Sequence, residues 1–496
     1  MRRHGSELAP RITGRMVRHR MNTDVRVKKT PPKRVKQKID MTEGPVFSKI
    51  VRFSIPVILT GLLSLLYNAA DLIVVGNFAG SEALAAVGST GSLNTLMINI
   101  FFGIATGAAV VASQHFGAKE DDEVKKVLHT AVITAVGGGL ILLAIGLLFS
   151  KTFLIWMGTD PKVLEAAALY MKIIFLGVPA NLLYNYCAAV LRASGDTKHP
   201  LIFLSVSGLV NVACNLVLVI VFHMGVAGVA IATILSQYLS AFLILSFLSK
   251  QKGALRFSFK DLRFDKEKFK RILSIGIPCG VQGSLFSISN VLIQSSINSF
   301  GDIAVAGNSA GANIEGFVYT AMNALYQASM TFTGQNVGAK KPKRILRVLR
   351  ASLVVVILVW CVIGGAAVIF RVPLVSLYVD ANDPNFSEVV RYGAQRISFV
   401  GALYFLCGLQ EVVIGSLRGM GKTLGPAIVS FLGACGLRIV WLCTVFQTWR
   451  SLPTLYIVYP VSWVVTTSVL FILLVVAYKQ FKRKVERMQL EPPPIT

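Results

Sequence analysis

Gln114-His115-Phe116-Gly117-Ala118-Lys119 closes one long apolar run, and Gln335-Asn336-Val337-Gly338-Ala339-Lys340 closes another. Gln, Gly, Ala and Lys hold the same places in both. The match extends outward from these stretches. Ile55-Pro56 opens an apolar run before the first, and Ile277-Pro278 opens one before the second. Further on, Leu191-Arg192 with Gly195 and Pro200 is answered by Leu417-Arg418 with Gly421 and Pro426. The offset stays at about 220 residues, so one frame is written twice. In a membrane protein, duplication on this scale builds two halves that move against each other.

The surrounding composition agrees with a membrane protein. The 496 residues are 54% hydrophobic and 15% charged, with mean hydropathy +0.64. A soluble domain carries about a quarter charged residues. Here the charges sit in short blocks between apolar stretches long enough to cross a hydrocarbon core of ~30 Å as helices. Lipid offers no partner to a backbone amide, which leaves the helix as the economical choice. The pattern predicts about twelve spans, at roughly 50–76, 84–112, 127–150, 167–190, 201–222, 226–248, 271–298, 303–333, 348–370, 390–416, 425–447 and 455–478. The expected fold is an all-α polytopic membrane protein. It has a six-helix lobe over 43–248, a linker at 249–270, a second six-helix lobe over 271–478 and a tail at 479–496. An even count per half makes the repeat parallel, with its axis along the membrane normal.

Basic residues set the expected orientation. With the N-terminus in the cytoplasm, that side receives Lys119, Lys125 and Lys126, the cluster from Lys250 to Arg271, the cluster from Lys340 to Arg350, and the C-terminal tail. The other side receives only Lys151, Lys162, Arg371 and Arg450 in its loops. The positive-inside rule therefore puts both termini in the cytoplasm of a multi-pass protein of the cell membrane. It also accounts for most of the +26 net charge through a basic rim facing anionic lipid, with no nucleic-acid partner. Residues 1–42 form a basic tail with little aliphatic periodicity. It reads as a lipid-binding extension, a regulatory tail, or sequence upstream of a start at Met41, the last being favoured.

Chemistry of other kinds is poorly provided for. The seven cysteines are scattered through apolar spans without a CxxC pair and read as small buried hydrophobes. The six histidines lack zinc-type spacing, and no phosphate-binding GxxxxGK[ST] loop is present. No metal site, organic cofactor or enzyme activity is expected. A pump without a nucleotide domain draws on an ion gradient.

Ionisable groups inside spans are functional candidates by default, because hydrocarbon penalises them. Asp71 lies ~24 Å along the first span, with Tyr67 one turn earlier on the same face. Asn211 and Asn215 share a face of the fifth span at ~15 and ~21 Å, and Thr233 of the sixth span falls at comparable depth. Together Asp71, Asn211, Asn215 and Thr233 offer an oxygen-rich pocket for Na⁺ or a proton site. An apolar setting disfavours a carboxylate, which suits a group that takes up and releases H⁺. The bland alternative is a polar cluster that only ties helices together. In the second half Glu315, Glu411 and Arg438 fall near mid-depth. Arg438 needs a partner there, and either Glu315 or Glu411 is expected to supply it, leaving the other acid for substrate or proton. Arg192 and Arg418 read as ordinary helix ends, offsetting the dipole before a closing glycine.

Tyr67-Asn68-Ala69-Ala70-Asp71 leading to Gly76-Asn77-Phe78 resembles the multidrug and toxic compound extrusion (MATE) family. So do Gly117-Ala118 after Gln114, Leu191-Arg192-Ala193-Ser194-Gly195-Asp196 and Leu417-Arg418-Gly419-Met420-Gly421. Asn290 to Gly301 and Asn313-Ile314-Glu315-Gly316-Phe317 are similar to its bacterial DinF-like branch. The resemblance runs from residue 41 to about 480. It implies a two-lobed, twelve-helix exporter driven by inward H⁺ or Na⁺. It also implies that Asp71 carries coupling, supported by an Asn-x-x-x-Asp pair in which Asn211 matches and Asn215 replaces the Asp. That departure favours H⁺. Cys407 stands where the NorM-like branch keeps an acid, so that branch's site is not carried over.

The expected function is a secondary active exporter of amphipathic, cationic organic compounds, acting as a monomer by alternating access. The alternative is a lipid-linked or polysaccharide flippase of the same superfamily. A flippase needs a strongly cationic cleft, and the expected interior cations are few: Arg438, with Lys172, Arg391 and Arg396 near the outer ends.

Overall fold

The computed structural model describes residues 39–490, the side chains of residues 81, 84, 92 and 96 excepted. The expected tail falls outside the described residues except for its last four positions.

The first half consists of α1 (Val46–Phe78), α2 (Ser81–Ala118), α3 (Asp121–Trp156), α4 (Pro161–Ala193), α5 (Lys198–Asn215) and α6 (Gly225–Lys250). A linker with two short 3₁₀ turns leads to the second half. That half begins with α7 (Lys266–Asn298), α8 (Asp302–Gly338) and α9 (Pro342–Val359). It continues through α10 (Gly365–Ile369), α11 (Arg371–Ser376), α12 (Phe386–Phe399) and α13 (Phe405–Gly419). It ends with α14 (Leu424–Phe431), α15 (Leu437–Cys443), α16 (Val445–Thr448) and α17 (Leu452–Leu490).

Ten of these segments are long and apolar enough to cross a membrane, and α12 with α13 makes an eleventh, bent by 44°. The twelfth expected span is α8. Its 37 residues exceed the length required, but its composition is too polar for a lipid-facing helix. Asn308, Glu315, Gln335 and Asn336 are all buried along it, because α8 turns its polar groups to the protein interior. The final helix runs past the expected span end at 478 and continues to Leu490.

Small residues bring the halves together. A methyl group at Gly103 would strike the backbone of Gly280 and Gly276, and one at Gly107 would strike Ile272. Side-chain-free surfaces let α2 and α7 approach backbone to backbone, the usual means of helix association in lipid. Farther along α2, at the repeated stretches, a methyl on Gly117 would run into the Gln335 carbonyl and one on Gly338 into the Gln114 carbonyl. At the other end of α2, Gly88 and Gly91 meet nothing. The halves thus close on each other toward the face where the basic loops gather.

Paired hydrogen bonds reinforce this seal. Gln114 Nε2 donates across to the Gly419 carbonyl at 3.0 Å, and Gln335 Nε2 donates across to the Ala193 carbonyl at 2.8 Å. The repeat persists in backbone conformation. Lys119 and Lys340 adopt φ of 63° and 55°, while Gly195 and Gly421 adopt 91° and 77°. Gly195 and Gly421 therefore end α4 and α13 with the left-handed turn the sequence suggests.

A short strap crosses the same face. Met41 is fully buried, and its carbonyl accepts from Asn336 Nδ2 at 3.2 Å and Arg344 Nε at 3.0 Å. Lys341 Nζ donates to the Thr42 carbonyl at 3.0 Å. On the first half, a methyl at Gly195 would lie 2.7 Å from the Ile39 carbonyl. Asp40 holds the strap's turn by accepting from the Thr42 amide and hydroxyl. Burial opposes its charge, but the Thr42 bonds with Lys49 and Lys341 nearby keep its carboxyl below the usual range.

Candidate functional site

The first half gathers four of its five expected residues. Asp71 on α1 accepts a short hydrogen bond from Asn215 Nδ2 on α5. Thr233 Oγ1 on α6 lies 3.5 Å from the other Asp71 oxygen and bonds its own helix at the Val229 carbonyl, 2.9 Å away. Asn211 closes the ring, 3.5 Å from Thr233 and 3.4 Å from Asn215. The one-turn spacing of Asn211 and Asn215 puts both amides on the α5 face toward Asp71. Asn215 is fully buried, and its Oδ1 has no partner. A π-helical turn, Leu216–Val221, begins directly after it. Such wide turns are frequent at functional positions.

Tyr67 is the exception. It shares the Asp71 face of α1, but its hydroxyl donates to the Ser205 carbonyl at 3.3 Å. Its ring lies over Gly208, where any β-carbon would collide with it. Tyr67 therefore packs α1 on α5, with its hydroxyl directed to the α5 backbone.

In the second half the expected pairing is corrected. Glu315 does not pair with Arg438. Arg396 of α12 takes it, through Nε to Oε1 at 3.2 Å and Nη2 to Oε2 at 2.8 Å. Arg396 Nη1 also donates to Asn308 Oδ1 at 2.6 Å, and Asn308 in turn donates to Gln294 at 3.1 Å. The Tyr456 and Tyr459 rings lie within 6 Å of its guanidinium. Arg396, expected near the outer end of its span, is instead buried on the α12 face that packs on α8.

Arg438 forms no ion pair within 4 Å among the described residues. Its guanidinium lies 3.3 Å from Asn290 Oδ1 and 3.4 Å from the Ser289 and Ser462 hydroxyls, over the Phe286 and Tyr459 rings. A second π-helical turn, Leu432–Gly436, stands beside it, and its Ala434 carbonyl accepts from Ser289 at 2.7 Å. Hydroxyls, an amide and aromatic faces spread the charge that an acid was expected to neutralise. Glu411, the remaining acid, forms no ion pair within 4 Å among the described residues. It lines a 560 Å³ cavity with Tyr319, Tyr326, Gln282, Trp463 and Arg418.

Arg418 is more than a helix end. It donates to the Tyr326 hydroxyl at 2.5 Å and to Gln282 Oε1 at 2.7 Å, and stacks over the Tyr326 ring. It also lines a neighbouring 310 Å³ cavity between the halves, with its repeat counterpart Arg192. Among the described residues Arg192, Arg396, Arg418 and Arg438 are thus cations that line the interior, more than depth counting along single spans suggests. Among the described residues no cluster of three or more His, Cys, Asp or Glu side chains is arranged to hold a metal ion.

Residues 56–217 and 278–443 match the sequence model of the MatE family, one segment in each half. The chain belongs to the MatE family. It is 27% identical over 462 residues to the probable multidrug resistance protein YoeA of Bacillus subtilis, covering 89% of this chain and 96% of that one. The multidrug export protein MepA of Staphylococcus aureus is 22% identical, with coverage of 79% and 85%. Among solved structures, a MOP superfamily transporter from Pyrococcus furiosus superposes with a TM-score of 0.82 at 18% identity, covering 92% of this chain and 99% of that one. A multidrug resistance MATE family transporter in an outward-facing conformation gives 0.80 at 18% identity, covering 92% and 100%. These likenesses establish the two-lobe MatE fold, and the relatives identify a multi-pass membrane transporter of small molecules, of the multidrug-efflux type. They do not single out the DinF-like branch, and they lend no support to the flippase alternative.

Proposed function

We propose that this MatE protein is a secondary exporter of amphipathic organic cations, driven by inward H⁺ through the Asp71 site, with its basic face in the cytoplasm. The observation that carries the reading is the setting of Asp71. It is the single carboxylate of its cluster, met by the Asn215 amide and the Thr233 hydroxyl. The Asn215 amide donates to the charged carboxylate, while the Thr233 hydroxyl, its proton given to the Val229 carbonyl, offers an oxygen that can accept from the protonated form, so both states of Asp71 are provided for. A Na⁺ ion would draw the cluster's oxygens inward, whereas Asn215 turns its amide nitrogen to Asp71.

Glu411 is the counter-ion for the substrate. Glu315 is occupied by Arg396, whereas Glu411 forms no ion pair within 4 Å among the described residues and faces a cavity walled by Tyr319, Tyr326 and Trp463, with Arg418 also in the wall but engaged by Tyr326 and Gln282. Aromatic faces and one carboxylate form a receptive surface for an organic cation. Alternating access then requires the halves to part at the Gln114–Gly419 and Gln335–Ala193 bonds. Protonation of Asp71 loosens its hold on α5, and α5 follows directly from the Gly195 turn beside the seal.

The test is transport of a fluorescent cationic dye in reconstituted vesicles under separately imposed H⁺ and Na⁺ gradients. The reading expects accumulation with the H⁺ gradient alone. Accumulation that requires Na⁺ and ignores the pH step contradicts it.

A further inference from the structure

We propose that the basic face carries a binding site for an anionic phospholipid, placed so that the lipid bridges the two halves while they are sealed.

The site is an 840 Å³ groove built from both halves. Its size falls within the range of sites for small organic ligands, roughly 300–1,000 Å³. The end of α2 contributes Gln114 and His115, and the turn after it Glu120. The second half contributes Arg271, Lys340, Lys422 and Lys484. The groove abuts the crossing of the repeated stretches, since Ala118 and Gly338 are also in its wall.

Its charge is unbalanced. Glu120 is the one acid in the wall, and it is taken by His115 Nδ1 at 2.5 Å. Arg271 reaches the neutral Gln114 amide oxygen at 2.5 Å. Lys340, Lys422 and Lys484 form no ion pair within 4 Å among the described residues. Four cations from four separate segments, against the single acid Glu120, form a receptor for a phosphate-bearing head.

The other wall is apolar. Ile275, Ala477, Phe481, Val485 and Met488 line it, the last four from the extended end of α17. Free phosphate has no use for such a wall, whereas an acyl chain does. The groove also lies where spanning helices give way to the basic segments, the level at which lipid head groups sit. A ligand that touches both halves binds the sealed arrangement better than the parted one and so favours it.

Native mass spectrometry of the full-length protein tests this, with phosphatidylglycerol or phosphatidylcholine added to delipidated samples. The wild type is expected to retain one phosphatidylglycerol more tightly than the Lys340→Gln/Lys422→Gln/Lys484→Gln variant. Loss of three surface charges should weaken that retention roughly a hundredfold. Phosphatidylcholine should not show the difference. Neutralising Lys250, Lys252 and Lys260 on the linker should leave retention as in the wild type. If the triple variant does not fold, Lys422→Gln alone is measured and should show a smaller loss in the same direction. Equal retention by wild type and groove variant overturns the site. Displacement of the lipid by soluble glycerol phosphate at matched concentration overturns the lipid assignment.

Discussion

Glu315 and Arg396 are joined by two parallel hydrogen bonds inside the second half, both side chains more than nine-tenths buried. Removing one partner of such a pair leaves an uncompensated charge in a medium that penalises it, at a cost of about 3–5 kcal/mol. Glu315→Ala and Arg396→Ala should therefore both lower the thermal unfolding midpoint of the detergent-solubilised protein substantially. Midpoints equal to the wild type would show that the pair does not hold α8 to α12.

Glu411 should behave in the opposite way. It has no ion pair to lose, so Glu411→Gln should unfold near the wild-type temperature. Affinity for a cationic dye should fall about tenfold, the loss of ~1.4 kcal/mol from one partly screened charge contact. Binding of an uncharged compound of similar size should change little. A variant with unaltered dye affinity would remove Glu411 from the substrate site.

The crossing of α2 and α8 leaves no room for a side chain at Gly117 or Gly338. Gly117→Val should wedge the halves apart at the basic face. Cys279 lines the cavity behind the seal. In a background with Cys361 and Cys443 replaced by Ser, its labelling by an impermeant maleimide added from the basic face should be about tenfold faster in the Val variant. Unchanged labelling would mean that the seal lies elsewhere.

Tyr67 separates packing from coupling. Tyr67→Phe removes one hydrogen bond to the Ser205 carbonyl and should cost at most about 1 kcal/mol, with gradient-driven transport retained. Gly208→Ala drives a methyl into the Tyr67 ring and should impair transport more than the hydroxyl deletion does. Loss of coupling in Tyr67→Phe would instead place the hydroxyl in the ion path.

The frame of the fold was legible because it is written in apolar length, basic blocks and a repeat. The Gln-to-Lys closures and the Leu-Arg-Gly turns recur in space down to the left-handed backbone at Lys119 and Lys340. The Asp71 cluster was legible for a related reason. Asn211 and Asn215 share a straight helix, and counting residues gives depth when the helix is continuous. The Arg396 pairing was not legible, because the break at residues 400–404 redirects α12 and a residue count along one span misplaces its side chains. Arg192 and Arg418 look like caps in the sequence because a helix end and a cavity wall are alike there when two lobes meet. The span expected at 303–333 is legible as α8 despite its polar residues, which it keeps because it faces protein on most sides.

Gradient-driven transport by Asp71→Asn, measured beside the wild type in the same vesicles, tests the central claim most directly. The wild type should accumulate the cationic dye against its gradient when H⁺ is allowed to run inward. Asp71→Asn should still bind the dye and exchange it down a concentration gradient, because the cavity around Glu411 is untouched, yet should lose accumulation driven by the pH step. Undiminished H⁺-driven accumulation in Asp71→Asn would contradict the account.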